Sequence, residues 1–148
     1  MNPLLVKAGV TAAALAMGGG FAVLSPSSSA VAYSSPPLFL DVSVQSPANL
    51  VAHGAAVSVP VIVTCTSNGA YVDVRVTEKV GKKTASGATS TTSGCTGGHQ
   101  TILVTVPAGN GAGLAFAKGS AYATADIEGC TSNFVCGTEH ASATIKIK

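Results

Sequence analysis

From Leu38 onward the chain alternates apolar and polar residues with a period of two, the signature of strands that bury one face. Leu38, Leu40, Val42 and Val44 alternate with Phe39, Asp41, Ser43 and Gln45. Pro47 to Gly54 interrupts the pattern, and Val57, Val59, Val61, Val63 and Cys65 then share one phase of a second strand. Pro60 lies in the opposite phase; because it cannot donate a ladder hydrogen bond, it predicts an edge or a bulge at that point. Val72, Val74 and Val76 predict the inward face of a third strand, with Tyr71, Asp73, Arg75 and Thr77 outward. After a hairpin tip at Gly81-Lys82-Lys83, Thr84 to Ser93 is almost entirely Ser, Thr, Ala and Gly and reads as an exposed edge strand, with the two lysines guarding it against edge-to-edge pairing. Ile102, Val104 and Val106 mark a fifth strand, and Leu114 and Phe116, after a Gly-rich loop from Pro107 to Gly113, plug one end of the core. Ala121, Ala123, Ala125 and Ile127 mark a sixth, with Tyr122, Thr124, Asp126 and Glu128 outward, and Ala141, Ala143, Ile145 and Ile147 a seventh. Seven antiparallel strands with turns at regular spacing predict an all-β sandwich over residues 38–148.

The last two strands fix their own register. If they pair as a hairpin, residues whose numbers sum to 266 lie opposite one another: Tyr122 with Thr144, Asp126 with His140, Glu128 with Thr138. Cys130 and Cys136 obey the same sum and meet across the hairpin neck, at a separation that a disulfide accepts. Four cysteines allow three pairings, and this one leaves Cys65 to bond Cys95. None of the cysteines shows the short C-x-x-C spacing of zinc or redox sites.

The first segment reads as an address. Lys7 is the only charged side chain before Asp41, and Ala8 to Leu24 is an apolar run of 17 residues whose one polar member is Thr11. Pro26 and a run of serines follow, then Ala30-Val31-Ala32, with small residues at the two positions a signal peptidase requires. This is the layout of a helical secretory signal peptide, residues 1–32, cut after Ala32. The run contains three consecutive glycines and falls short of the ~20 residues of a spanning helix. No membrane attachment is expected after cleavage. Tyr33 to Pro37 is a Ser/Pro spacer. Export places the cysteines in an oxidising space and the protein outside the cell, released or held at its surface.

Composition removes several functions. Eight basic against six acidic residues give a net charge of +2, too balanced for the basic stripe of a nucleic-acid binder. There is no G-x-S-x-G elbow, no P-loop and no H-x₃₋₅-H pair. His140 opposite Asp126 is the one predicted acid–base contact, and it reads as an ordinary cross-strand pair. The expectation is a non-catalytic protein without cofactor or metal. The feature that points to recognition is Thr131-Ser132-Asn133-Phe134-Val135, a loop pinched at both ends by the expected bridge. Asn133, Phe134 and Val135 are the candidate binding residues, because a rigid loop displaying an aromatic side chain loses little entropy on binding. The alternative is that Phe134 folds back to cap the sandwich.

With its Ala/Gly-rich leader, the strand Val57-Ser58-Val59-Pro60-Val61-Ile62-Val63-Thr64-Cys65 and the tight Cys130…Cys136 hairpin, the chain resembles small exported immunoglobulin-like sandwiches from actinobacteria. It is similar to the neocarzinostatin-type apoproteins in size and in its two-disulfide economy, although a 65–95 bridge spans a longer segment than theirs and their ligand-lining residues have no counterpart here. Subtilisin inhibitors of the Streptomyces type share the size and two bridges but carry a Cys-Pro beside the reactive bond, which is absent here. The resemblance implies an immunoglobulin-like fold over roughly residues 38–147 and no specific activity, since fold does not carry function. The expected role is a secreted domain that binds an extracellular protein or cell-wall component, or builds the cell exterior. A secreted enzyme inhibitor presenting the Cys130–Cys136 loop and a small-ligand carrier with a crevice between the sheet and the Gly-rich loop are the two alternatives.

Overall fold

Strand propensity and the two-residue period act together along most of the chain. In the computed structural model, which describes residues 37–109 and 114–148, they yield eight strands. The predicted signal segment and residues 33–36 of the predicted spacer lie outside the described residues. The strands are β1 (Leu40–Val44), β2 (Asn49–Val51), β3 (Ala56–Cys65), β4 (Ala70–Val80), β5 (Lys83–Ser93), β6 (Gln100–Pro107), β7 (Gly119–Cys130) and β8 (Cys136–Ile147). The additional strand relative to the seven expected is β2. Its three residues sit inside the segment whose Pro and Gly content masks any alternation, just before a 3-10 turn at Ala52–Gly54.

All strand pairings are antiparallel and form two sheets. One has β3 at its centre, flanked on one side by β1 and then β2 and on the other by β6; the second runs β5-β4-β7-β8. The inward phases match the sequence pattern: Val57, Val59, Val61, Val63 and Cys65 from β3, Val72, Val74 and Val76 from β4, and Ile127 from β7 are fully buried in one cluster shared by both sheets. Phe116 joins that cluster with Leu114 packed against it. The result is a sandwich-like all-β fold. Each fully buried Val or Ile contributes about 1.5–3 kcal/mol, which matters in a core with so few aromatic residues.

Pro60 occupies neither an edge nor a bulge. β3 is the central strand, and the proline is tolerated because of where its neighbours break. Pairing with β1 ends at Val44↔Val61 and pairing with β2 begins at Asn49↔Ser58. The Pro60 carbonyl accepts from the Gln45 N–H at 2.9 Å on that side. Within a strand residue the N–H points the same way as the C=O, so the missing donor falls at the interruption and no ladder bond is lost.

That interruption also ties the sheets together. Ala48, fully buried, donates to Lys146 O at 2.9 Å and accepts from Lys148 N at 3.0 Å, a parallel bridge to the end of β8. Ser46 Oγ accepts from Lys146 N at 3.0 Å. The segment between β1 and β2 therefore leaves one sheet, touches the other and returns.

Candidate functional site

Both disulfides lie at one end of the fold. Cys65, the last residue of β3, bonds Cys95 in the loop after β5, and Cys130, the last residue of β7, bonds Cys136, the first of β8. These are the pairs that the hairpin register selects, and that register holds throughout: Cys130↔Cys136, Glu128↔Thr138, Asp126↔His140, Tyr122↔Thr144. Two bridges accord with an oxidising environment. Among the described residues no helix is long and apolar enough to cross a membrane.

Backbone hydrogen bonds lock the loops of this end to one another. Asn68 N donates to Cys130 O at 3.2 Å, joining the β3–β4 loop to β7, and Gly97 N donates to Cys65 O at 3.1 Å, joining the β5–β6 loop to β3. Thr66 receives the incoming chain: its N–H donates to Phe39 O at 3.0 Å, its hydroxyl donates to Pro37 O at 2.9 Å and accepts from Phe39 N at 2.8 Å.

On this base stands the loop between Cys130 and Cys136. Thr131 N donates to Val135 O at 2.9 Å, Phe134 N to Thr131 O at 3.0 Å, and Val135 N to Thr131 Oγ1 at 3.3 Å. These bonds fold the short loop back on Thr131 and leave the side chains of residues 132–135 exposed. Phe134 is 90% exposed and Val135 57%; Asn133 is also exposed. Phe134 does not fold back over the sandwich. Its φ of +59° is in the left-handed region, which costs an L-residue with a Cβ about 1–2 kcal/mol. A bulky residue is thus held in a strained conformation and turned to solvent.

Next to this end, the outward face of the β5-β4-β7-β8 sheet carries a second feature. Asp73 of β4 lies directly opposite Asp126 of β7. Like charges so placed destabilise a sheet, and the neighbours offset the repulsion. Arg75 Nε reaches Asp73 Oδ1 at 3.2 Å, Ser90 donates to Asp73 Oδ2 at 2.9 Å, and His140 Nδ1 lies 2.7 Å from Asp126 Oδ1. A groove of about 440 Å³ is lined there by Tyr71, Asp73, Ser90, Asp126, Glu128 and Thr138. The His140–Asp126 pair is half-exposed on both sides, as an ordinary cross-strand contact is. Among the described residues no group of three or more His, Cys, Asp or Glu side chains could hold a metal ion. At the far end of the same face a groove of about 400 Å³ is lined by Thr77, Lys79, Lys82, Thr84, Ser120, Tyr122 and Thr144.

Beside the Gly-rich loop, Ala52, His53, Ala55, Ala108, Leu114 and Ala115 line a shallow recess of about 300 Å³. The carrier reading places its crevice between the sheet and the Gly-rich loop, of which residues 110–113 lie outside the described residues. One chemically notable side chain escapes the sequence reading altogether. Glu78 is 3% exposed and accepts from Ala117 N through Oε2 at 2.8 Å. The signal was its phase, two residues after Val72, Val74 and Val76, on the inward face of β4.

Comparison with known protein families, with curated protein sequences and with solved structures finds no significant match.

Proposed function

We propose that the protein is a secreted, non-catalytic immunoglobulin-like domain that works by binding, with Phe134 as the anchor of its contact surface. The partner is an extracellular protein or a cell-wall component. The observation that carries this reading is the exposure of Phe134 on a loop closed by its own disulfide and by three internal hydrogen bonds. Such an anchor is pre-ordered, so its contact area is not offset by the entropy of immobilising a loop. Asn133 and Val135 flank it. Neither a cofactor nor a metal enters this role.

Two further observations support the coarser parts of the reading. The partition of β1, β2, β3 and β6 in one sheet against β5-β4-β7-β8 in the other, with the segment after β1 bridging to β8, supports an immunoglobulin-type sandwich. The departure is the cysteines, which brace one end instead of joining β3 to β7. The leader's charge-apolar-small order and the two bridges support export. A second reading, an inhibitor presenting the Cys130–Cys136 loop to an enzyme cleft, is favoured by the exposure of both Phe134 and Val135 on a disulfide-closed loop.

The test compares the exported protein with its Phe134→Ser variant for retention on purified cell walls, for capture of proteins from the culture medium, and for inhibition of a panel of secreted proteases. Loss of a hot-spot aromatic weakens binding by about 2 kcal/mol or more, about thirtyfold. A variant that folds normally and is retained, captures and inhibits no differently from the parent would overturn the assignment of Phe134 as the anchor. Inhibition of a protease by the parent alone selects the second reading.

A further inference from the structure

The register of the β5-β4-β7-β8 sheet places its outward side chains in rows across the strands. Starting at the disulfide end, Thr92, Tyr71, Glu128 and Thr138 form the first row, and Ser90, Asp73, Asp126 and His140 the second. Ala88, Arg75, Thr124 and Ser142 follow, then Ser86, Thr77, Tyr122 and Thr144. Thr84, Lys79, Ser120 and Lys146 close the series. The face therefore carries its three carboxylates at one end and its three cations, Arg75, Lys79 and Lys146, from the middle to the other end. Lys82, at the hairpin tip, adds to the basic groove. Each end has a shallow groove and one exposed tyrosine, Tyr71 at 66% and Tyr122 at 52%.

From this segregation we propose that the face docks onto the same face of a second copy of the chain, related by a twofold axis lying across the strands. Rotation about such an axis reverses the order of the rows and keeps each strand over its counterpart. It sets Glu128 and Tyr71 of one copy against Lys79 and Lys146 of the other, and Asp73 and Asp126 against Thr77 and Tyr122. The contact occurs twice by symmetry, as an isologous interface requires. A partner is favoured that brings base to the acidic end and acid to the basic end; the twofold mate does so at the outer rows, where Glu128 meets the lysines, while the middle row brings the two Arg75 side chains together, each paired with its own Asp73 at 3.2 Å. Strands about 4.8 Å apart and outward rows about 6.8 Å apart make the face about 19 by 34 Å, or about 650 Å² per copy. That is at the lower end of the roughly 600–1,000 Å² per partner of a specific interface. The dimer is therefore weak, polar and sensitive to salt. This inference does not rest on the Phe134 reading, because that loop belongs to the end of the sandwich and the proposed contact to its flank.

The experiment is sedimentation velocity on the full chain, expressed with export so that both disulfides form, from about 5 to 500 µM, where mass action reveals a weak dimer. In about 20 mM salt the expected result is a concentration-dependent dimer, and raising salt to about 500 mM weakens it at least about tenfold by shortening the screening length. Two double variants then test the face: Lys79→Glu with Lys146→Glu, and Asp126→Lys with Glu128→Lys. Each alone is expected to be monomeric, because like charges now meet twice. Mixed in equal amounts they are expected to form a heterodimer, since the acidic face of one meets the basic face of the other; this rescue also shows that both variants are folded. A wild type that stays monomeric at the highest concentration in low salt overturns the proposal. So does a dimer that survives either charge reversal, or a mixture that associates no more than its components.

Discussion

The two bridges differ in the length of chain they close, and that difference sets the size of their contributions. Cys65 and Cys95 are 30 residues apart, Cys130 and Cys136 only 6. Loop-closure entropy assigns about 3.7 kcal/mol to the first and about 2.2 kcal/mol to the second at 25 °C. Two structural terms widen the gap. Cys65 is fully buried against the core, so Ala at that position also leaves a void, adding about 1 kcal/mol. The Cys130–Cys136 neck, by contrast, is already held together by the β7–β8 ladder that begins at it, which lowers what its bridge adds. Removal of the long bridge with Cys65→Ala and Cys95→Ala is thus expected to cost about 4–5 kcal/mol, and removal of the short one with Cys130→Ala and Cys136→Ala about 1–2 kcal/mol. Against a total of about 5–15 kcal/mol, the first variant is barely folded or unfolded at 37 °C and the second remains folded. Equilibrium urea unfolding followed by far-UV circular dichroism reads this directly. With a slope of about 1.3 kcal/mol per molar urea for a domain of this size, the midpoints fall by about 3.5 M and about 1 M. Equal shifts, or a larger one for the short bridge, would refute the reasoning that chain length between the cysteines governs their contribution.

Three other outcomes follow from particular contacts. Phe134→Gly relieves the left-handed backbone at φ +59° and is expected to leave stability unchanged or raise it by up to about 1 kcal/mol while losing the proposed anchor; thermal melts check the first part and retention on cell walls the second. Gly54→Ala is expected to destabilise by at least about 2 kcal/mol, because Gly54 has φ +93° and a Cβ there would run into the Phe116 carbonyl oxygen; a melting temperature within a degree of the parent would contradict this. Glu78→Ala strips the Ala117 N–H of its acceptor and is expected to cost about 1–3 kcal/mol, whereas Glu78→Gln keeps an acceptor oxygen and costs less; the two urea midpoints should separate in that order.

What was written in the chain was most of what depends on neighbours in sequence. A strand's two faces are set by alternation, so the inward residues of β3, β4 and β7 follow from the pattern with no knowledge of what covers them. The β7–β8 register is local too: one five-residue turn and the pleat suffice to bring Asp126 to His140 and Cys130 to Cys136, and the other two cysteines then have only each other. The candidate loop 131–135 was legible for the same reason, since its ends are closed by a contact six residues long. The tertiary structure decided what depends on sheet order. Alternation says that Asp73 and Asp126 both point outward, but not that β4 lies beside β7 and sets them opposite each other, so the charged face was invisible until the strands were ordered. Pro60 looked incompatible with a central strand because a lone strand cannot reveal that its neighbour changes from β1 to β2 at that residue. Whether Phe134 would cap the fold or face solvent was likewise a question of what lies beneath it, and the hydrogen-bonded loops of the disulfide end leave that side chain outside. Pairing between distant segments is settled by the packing of whole sheets, which no window of sequence contains.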